Sequence, residues 1–289
     1  MRTPLLGCLV LIALVLVGAR SAATADTVHR TGWIVYWSET PWPSIWAIPP
    51  SSARGRRILR NEQNAKRPRL SPDRRWVAFD GAPPGKRVMS DFDIQLVHLD
   101  GTGLHTVTSS GDWDVDAQWS PDGTWLAFTR SAPSPTDCRD GSIWVVRTDG
   151  SDARRVVAGC GARWSPDGNR LVYEGGDGDL YVVDVDGTDR HRLLKTRLPE
   201  AAAGWSRSNK ILFTRNHDEI GRIADVLVMN SDGTGVRRLG DGFAGGWSPS
   251  GRQILYTKSF FSALFVMNAD GSHKHRISRR AIAAEPDWR

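Results

Sequence analysis

A tryptophan followed by a Ser-Pro turn and a short apolar run recurs along this chain, and the recurrence limits the folds open to it. The pattern reads WSPDGTWLAFTR from Trp119, WSPDGNRLVYEG from Trp164 and WSPSGRQILYTK from Trp247, with related segments from Leu70 and Trp205. Successive copies start about 41 to 49 residues apart. Proline presets φ for the turn and glycine supplies the positive φ that ends it, so each copy predicts two strands joined by a corner.

A second module of sixteen residues follows, as in DLYVVDVDGTDRHRLL from Asp179. Its Asp-Gly pair is a favoured two-residue hairpin turn, so this module predicts two further strands. Four short strands at this spacing are typical of a propeller blade. The six copies of the second module begin at Ser44, Asp93, Ser142, Asp179, Asp225 and Ala263.

The two ends of the repeat region complement each other. Residues 31–38, TGWIVYWS, align with residues 123–130 but have no tryptophan anchor before them, whereas EPDWR around Trp288 has the anchor without the rest. We expect Trp288 to supply the inner strand of a blade whose outer strands come from residues 32–60. Such pairing would remove open sheet edges. The sequence therefore predicts an all-β fold, a six-bladed propeller of four-stranded antiparallel blades.

The first 25 residues have the pattern of a signal peptide. Arg2 precedes an apolar run of about 13 residues, and an Ala-Thr-Ala sequence at residues 23–25 suits cleavage. The run is shorter than the roughly 20 residues that span a membrane. We expect residues 1–25 to be removed, residues 26–289 to form the propeller, and no transmembrane segment to remain after cleavage. An uncleaved anchor is the alternative.

Two of the three cysteines are predicted to pair. Cys138 lies in the expected loop after the second strand of its blade and Cys160 in the loop after the fourth, and these loops share a face. Export would place both in an oxidising compartment. We expect a disulfide between them; the alternative is two unrelated buried cysteines.

The net charge of +6 raises the question of nucleic-acid binding. Much of the positive charge falls at places thirteen and fourteen of the second module, on the predicted outermost strand, where charge protects an exposed edge. Spread around a ring, these residues form no single groove, so we expect no nucleic-acid partner. A basic run over residues 54–75 leaves an anionic partner open. The residues at the two places are Arg56-Arg57, His105-Thr106, Arg154-Arg155, His191-Arg192, Arg237-Arg238 and His275-Arg276.

Motifs for catalysis and metal binding are missing from the sequence. The DVDGTD segment at residues 184–189 lacks the ligand spacing of a calcium loop, and no G-x-S-x-G motif occurs. Asp112, Asp114 and Asp116, beside Trp113, are the candidates for a glycosidase or lyase site built from loops. The alternative is a polar turn that enters the inner strand. We predict no enzymatic activity, no cofactor and no metal site.

The residues just before each tryptophan anchor are expected to line the central channel. Half of this ring is charged or polar, while the adjoining half holds only Ala202, Gly204, Ala244 and Gly246. The charged half could orient an inserted loop or peptide through charge-assisted hydrogen bonds. The alternative is that these charges pair with each other across blades. The predicted partner-binding residues are Arg67, Arg69, Asp116, Gln118, Arg163, Glu285 and Asp287.

The W-S-P-D-G corner, the hairpins LYVVDVDGTDRHRLL and LFVMNADGSHKHRIS, and the terminal pairing resemble the TolB-type, WD40-like propeller repeat. The resemblance covers nearly all of residues 32–289. TolB itself is a periplasmic protein of the Tol–Pal system and has an additional N-terminal α/β domain. Here the first blade follows the predicted signal peptide within a few residues, so we expect a TolB-like propeller without that domain. The same repeat occurs in some peptidases and polysaccharide lyases, and so the fold does not decide the function.

These observations favour an exported, non-enzymatic binding or scaffold protein of the cell envelope or exterior. The expected location is periplasmic or secreted, and the expected form is a monomer that docks a protein or peptide through a propeller face. The alternative is a secreted carbohydrate-active enzyme, a lyase or glycosidase, with its site at the channel mouth.

Overall fold

Six four-stranded antiparallel sheets make up the computed structural model, so the propeller prediction is confirmed. Helix in the described part of the chain is limited to the 3-10 turn Cys138–Asp140, and no helix there is long and apolar enough to cross a membrane. The predicted signal peptide and Glu285 lie outside the described residues. The structure describes residues 32–38, 44–49, 55–59, 64–82, 92–133, 138–217, 223–259, 262–278 and 286–289.

Five blades use four consecutive strands each, and blade 1 takes its innermost strand from the C-terminal end of the chain. Blades 1 to 3 contain β1 (Ile34–Ser38), β2 (Ser44–Ile48), β3 (Arg56–Leu59); β4 (Lys66–Leu70), β5 (Trp76–Gly81), β6 (Asp93–His98), β7 (His105–Thr106); and β8 (Trp113–Trp119), β9 (Trp125–Ser131), β10 (Gly141–Arg147), β11 (Arg154–Ala158). Blades 4 to 6 contain β12 (Cys160–Trp164), β13 (Arg170–Glu174), β14 (Leu180–Asp184), β15 (His191–Arg192); β16 (Glu200–Trp205), β17 (Lys210–Asn216), β18 (Ala224–Asn230), β19 (Arg237–Asp241); and β20 (Phe243–Trp247), β21 (Gln253–Thr257), β22 (Leu264–Asn268), β23 (His275–Arg276). The last strand, β24 (Asp287–Trp288), belongs to blade 1.

The two ends of the described chain close the ring. Strand β24 pairs antiparallel with β1, with Trp288 opposite Ile34 and Asp287 opposite Val35. The amide of Arg289 extends the pairing by donating to the carbonyl of Trp33 at 2.9 Å. The inner strand of blade 1 therefore comes from the Trp288 segment, as the sequence predicts, and hydrogen bonds and packing join it to the other three strands of the blade.

The hydrophobic core lies between neighbouring blades. One cluster combines Ile143 and Val145 of blade 3 with Leu171 and Tyr173 of blade 4, and all four side chains are fully buried. Strands buried on both faces need apolar residues at successive positions, which explains the apolar runs of the repeat.

The Ser-Pro turn between the first two strands is held by its own side chains. In blade 3 the hydroxyl of Ser120 donates to Asp122 and accepts from the amide of Trp125 at 2.9 Å. The amide of Gly123 donates to the carbonyl of Ser120 at 3.0 Å. Gly123 has a φ of 75°, which favours glycine. The repeated Ser-Pro-Asp-Gly letters therefore specify a turn.

The Asp-Gly hairpin also sets how closely two blades approach. The amide of Gly187 donates to the carbonyl of Asp184 at 2.8 Å, and its φ is 91°. A Cβ at Gly187 would lie 3.0 Å from the carbonyl oxygen of Val156 in the preceding blade. Glycine is needed there for both reasons, and DVDGTD forms a hairpin turn.

The charged pairs of the second module begin the outermost strands, as predicted. The outermost strands of blades 1, 3 and 5 have four or five residues and start with Arg-Arg, while those of blades 2, 4 and 6 have two residues and start with histidine. In the first group, the leading arginine donates to a backbone carbonyl in the hairpin of the next blade. These bonds join Arg56 to Leu99 at 3.1 Å, Arg154 to Val185 at 2.8 Å and Arg237 to Asp270 at 2.7 Å. These arginines therefore link blade 1 to blade 2, blade 3 to blade 4 and blade 5 to blade 6, a role that the sequence pattern did not indicate.

A disulfide links Cys138, in the 3-10 turn of blade 3, to Cys160, at the start of β12 in blade 4. Their Cα atoms lie 5.2 Å apart, within the range of ordinary disulfides. The link crosses a blade boundary and closes a segment with a sequence separation of 22 residues.

We predict that this disulfide forms in the mature protein and contributes about 3 kcal/mol to the free energy of unfolding, because it restricts the unfolded chain. The measurement is thiol labelling under denaturant, before and after reduction, together with urea unfolding of the Cys138→Ala/Cys160→Ala variant. Two reactive thiols in the air-oxidised mature protein would rule the disulfide out.

The ring closure predicts a large cost for Trp288→Ala. Trp288 is 2 % exposed, and removing a buried tryptophan side chain costs about 3–5 kcal/mol. Its indole N–H has no acceptor in the described part of the chain, so Trp288→Phe should cost less. Urea unfolding measures both. If Trp288→Ala costs no more than the exposed-strand control Arg155→Ala, the closure does not limit stability.

Candidate partner-binding site at the channel mouth

The inner strands of blades 2 to 6 share one irregularity, a shift in their pairing with the next strand at the same place in each blade. A bulge of this kind bends the strand and redirects side chains. In blades 2, 3 and 4 the shift contains a residue with positive φ, namely Arg67 at 46°, Asp116 at 54° and Gly161 at 66°. This conformation is costly for residues other than glycine, although aspartate tolerates it better than most. Arg67 and Asp116 are therefore held there by their surroundings.

Asp116 joins three blades. Its Oδ1 accepts a hydrogen bond from Arg69 Nη2 at 3.1 Å, and its Oδ2 accepts one from Arg163 Nη1 at 2.8 Å. The side-chain Nε2 of Gln118 donates to Oδ1 at 3.3 Å. Arg69, Asp116 and Arg163 have side chains that are 6 %, 15 % and 13 % exposed. A shielded carboxylate therefore holds two guanidinium groups that come from opposite sides.

The arginines keep Asp116 ionised. Burial by itself raises the pKa of a carboxyl group, but Arg163 and Arg69 outweigh it, and the pKa of Asp116 lies below its ordinary value of 3.8. At neutral pH the cluster contains one carboxylate and two guanidinium groups.

One further ion pair and one hydrogen bond extend the charged half of the ring. Arg67 Nη1 donates to Oδ2 of the fully buried Asp80 at 2.8 Å, and Asp80 Oδ1 accepts from the amide of Asp116 at 3.2 Å. On blade 1, Asp287 Oδ2 accepts from the amide of Leu70 at 2.9 Å. Asp116 thus pairs with Arg69 and Arg163 across blades, which is the arrangement of the alternative to a partner-binding site, whereas Arg67 pairs with Asp80 within blade 2.

A cavity of about 230 Å³ opens at the channel end that carries the Ser-Pro turns. We call it the channel mouth. Of the predicted residues, Gln118, Arg163 and Asp287 line it, whereas Arg67, Arg69 and Asp116 lie outside its lining. The lining also includes the tryptophan anchors and turn prolines Trp119, Trp164, Trp205, Trp247, Trp288, Pro72, Pro121, Pro166 and Pro249.

Three arginines of the channel mouth were missed by the sequence analysis. Arg74, Arg207 and Arg289 line the cavity with Arg163. They follow the tryptophan anchors, or Leu70 in blade 2, whereas the prediction considered only residues before each anchor. The turn after the anchor folds back over the channel, so its side chains could have been found by extending the search to the Ser-Pro turns.

The carboxylates proposed for catalysis do not share this cavity. Asp114 is fully buried and accepts two hydrogen bonds from Arg130, at 2.7 and 2.8 Å. Asp116 is held by its own two arginines, and Asp112 is exposed. None of the three lines the channel mouth.

The one group of three possible metal ligands in the described residues consists of Cys138, Cys160 and Glu174. Two of its members are joined in the disulfide.

We expect Asp116→Asn to lower the free energy of unfolding by about 3–5 kcal/mol at neutral pH, because Arg69 and Arg163 would lose a shielded counter-charge. Since the pKa of Asp116 is lowered on folding, its contribution is complete above pH 3.8 and is lost as the pH falls further. The two proteins should therefore converge in acid. Asp152→Asn, which removes an exposed partner of Arg147, should cost about 0–1 kcal/mol. Equal losses from the two variants in thermal unfolding would contradict the bridging role.

No protein-family model and no curated protein sequence matches the chain. Solved structures of similar fold include TolB from Acinetobacter baumannii, with a TM-score of 0.72 and 21% identity over 90% of this chain and 67% of that one. A putative TolB from Agrobacterium tumefaciens has a TM-score of 0.61 and 18% identity over 86% and 88% of the two chains. An oligogalacturonate lyase in complex with manganese has a TM-score of 0.59 and 12% identity over 86% and 74%. The chain therefore has a TolB-like six-bladed propeller fold.

Proposed function

We propose that this protein is an exported, non-enzymatic binding scaffold of the cell envelope or exterior. It acts as a monomer and docks a segment of a protein partner at the channel mouth.

The channel mouth is the observation that carries this proposal. Its volume of about 230 Å³ is below the roughly 300–1,000 Å³ of small-molecule sites, so it suits a few inserted side chains of a larger partner. Tryptophan, proline and arginine line it, and tryptophan and arginine are the residues most enriched where binding energy concentrates in protein interfaces.

The rigid frame around the mouth supports the same function. Asp116 fixes Arg163 from behind, and the turn hydroxyls of Ser165 and Ser248 each accept a backbone amide hydrogen bond within their own turns. A preorganised rim loses little conformational freedom when a partner docks.

Export to the periplasm or the exterior is part of the proposal. Residues 1–25 have the pattern of a cleavable signal peptide, and the Cys138–Cys160 disulfide suits an oxidising compartment. The TolB-like fold supports the same location by analogy.

A secreted carbohydrate-active enzyme is the second candidate, favoured by the shared fold with an oligogalacturonate lyase. The carboxylates Asp114 and Asp116 weigh against it, because each is already bound to arginine. Formation of an unsaturated product from oligogalacturonate, with manganese supplied, would move the function to this candidate.

Site-specific photo-crosslinking in envelope fractions tests the docking function. We expect a photoreactive residue at Ser250, beside Pro249 and Gly251 of the channel mouth, to form a discrete protein adduct. The matched control carries the same residue at Arg155, which is exposed on the outermost strand of blade 3. Identical adducts from both positions, or none from Ser250, would refute docking at the mouth.

A further inference from the structure

The charged residues of the channel mouth are strongly unbalanced. Four arginines line it, together with a single aspartate, Asp287. The carboxylate of Asp287 already accepts from the amide of Leu70 at 2.9 Å and lies 3.7 Å from Arg289 Nε. At neutral pH the lining therefore carries more positive than negative charge, and its one acid is occupied by the protein itself.

Arg163 uses only part of its guanidinium group inside the protein. Its Nη1 donates to Asp116 Oδ2 at 2.8 Å and to the carbonyl of Ala162 at 2.9 Å. Nε and Nη2 have no acceptor among the residues that the structure describes, although the side chain is only 13 % exposed. A shielded guanidinium group at the edge of the cavity therefore keeps N–H donors for which the described residues supply no acceptor.

Arg207 contributes a second cation from the neighbouring blade. It lies in the turn after Trp205, between β16 and β17, and is exposed. Within the described ranges it makes no hydrogen bond and no ion pair, so its whole guanidinium group is open to an incoming acceptor.

The chemistry of arginine selects a carboxylate as the incoming acceptor. Arginine binds carboxylates through parallel hydrogen bonds, which add directional specificity to the charge attraction.

We propose that the segment docked at the channel mouth is acidic, and that Arg163 and Arg207 bind aspartate or glutamate carboxylates of the partner protein. This inference rests on the proposed function and specifies the chemistry of the partner.

Polypeptide fits the site better than nucleic acid. Binding a phosphate backbone needs a continuous basic groove. The leading arginines of three outermost strands, such as Arg154, already donate to carbonyls of the next blade, so they do not extend the positive charge of the channel mouth into such a groove. The channel mouth is small and aromatic, and it admits side-chain tips.

The test measures the affinity of a fluorescent peptide of alternating glutamate and glycine, and of its glutamine counterpart, by anisotropy. We expect the acidic peptide to bind at low salt, more weakly as salt is added, and at least about tenfold more tightly than the glutamine peptide. Arg207→Gln and Arg163→Gln should each reduce its affinity severalfold. Arg155→Gln makes the same charge change on an outermost strand and should leave the affinity unchanged. Arg207 has no internal partner, so Arg207→Gln tests the site without disturbing the fold.

Equal binding of the two peptides, equal loss in Arg155→Gln, or equally tight binding of a single-stranded oligonucleotide would overturn the inference. Crosslinking at Ser250 separates this result from the docking function. A partner that crosslinks equally to the wild type and to Arg207→Gln and Arg163→Gln would leave docking intact while refuting recognition of carboxylates. If the acidic peptide binds selectively but no adduct forms at Ser250, docking of a protein partner at the mouth is refuted while recognition of carboxylates stands.

Discussion

The contact between neighbouring blades is the interaction on which the rest of this structure depends. In blades 3 and 4 the tryptophan before the Ser-Pro turn is almost fully buried, and its indole N–H donates to a carbonyl of the preceding inner strand. Trp119 bonds to Arg69 and Trp164 to Gln118, each at 2.9 Å. One side chain thus buries a large apolar surface and satisfies a backbone acceptor at the same boundary. Since a four-stranded sheet has two apolar faces, it is stable only when both are covered, and the ring must close through Trp288.

The channel combines this repeated support with residues that differ from blade to blade. The bulge recurs in the inner strands of blades 2 to 6, yet it presents Arg67 and Asp116 on one side and only alanine and glycine in blades 5 and 6. A structural repeat does not require such asymmetry, because small residues suffice at the bulge in the latter blades. The ion pairs stabilise the ring across blades 2, 3 and 4, and they also hold Arg163 at the edge of the channel mouth. Arg163 belongs both to these ion pairs and to the proposed binding site, so a variant such as Arg207→Gln is needed to separate an effect on binding from an effect on stability.

The same fold occurs in TolB structures and in an oligogalacturonate lyase, and so chemistry at the channel must distinguish the possible functions. In this chain Asp114 is held by Arg130, while Asp116 is held by Arg69 and Arg163. Carboxylates fixed in ion pairs stabilise a frame, and they are poorly placed to exchange protons with a substrate. Arg163 and Arg207 keep open donors at the channel mouth, and these suit recognition of an acidic group.

The sequence by itself determined the blade count, the turns, the terminal closure and the positions of the outermost strands. These features are local: the Ser-Pro-Asp-Gly letters fix a turn wherever they stand, and Gly187 has to be glycine for its φ alone. Only the tertiary structure decided which charges meet. Arg69 and Arg163 each lie 47 residues from Asp116, and their contact depends on a bulge that changes the direction of one side chain. A shift of one residue in strand register would turn that carboxylate to the other face, so the letters before each tryptophan could not specify its partners. The arginines after the anchors, Arg207 among them, belong to the channel mouth because the turns fold over it, and that fold is a tertiary feature which the sequence pattern does not specify.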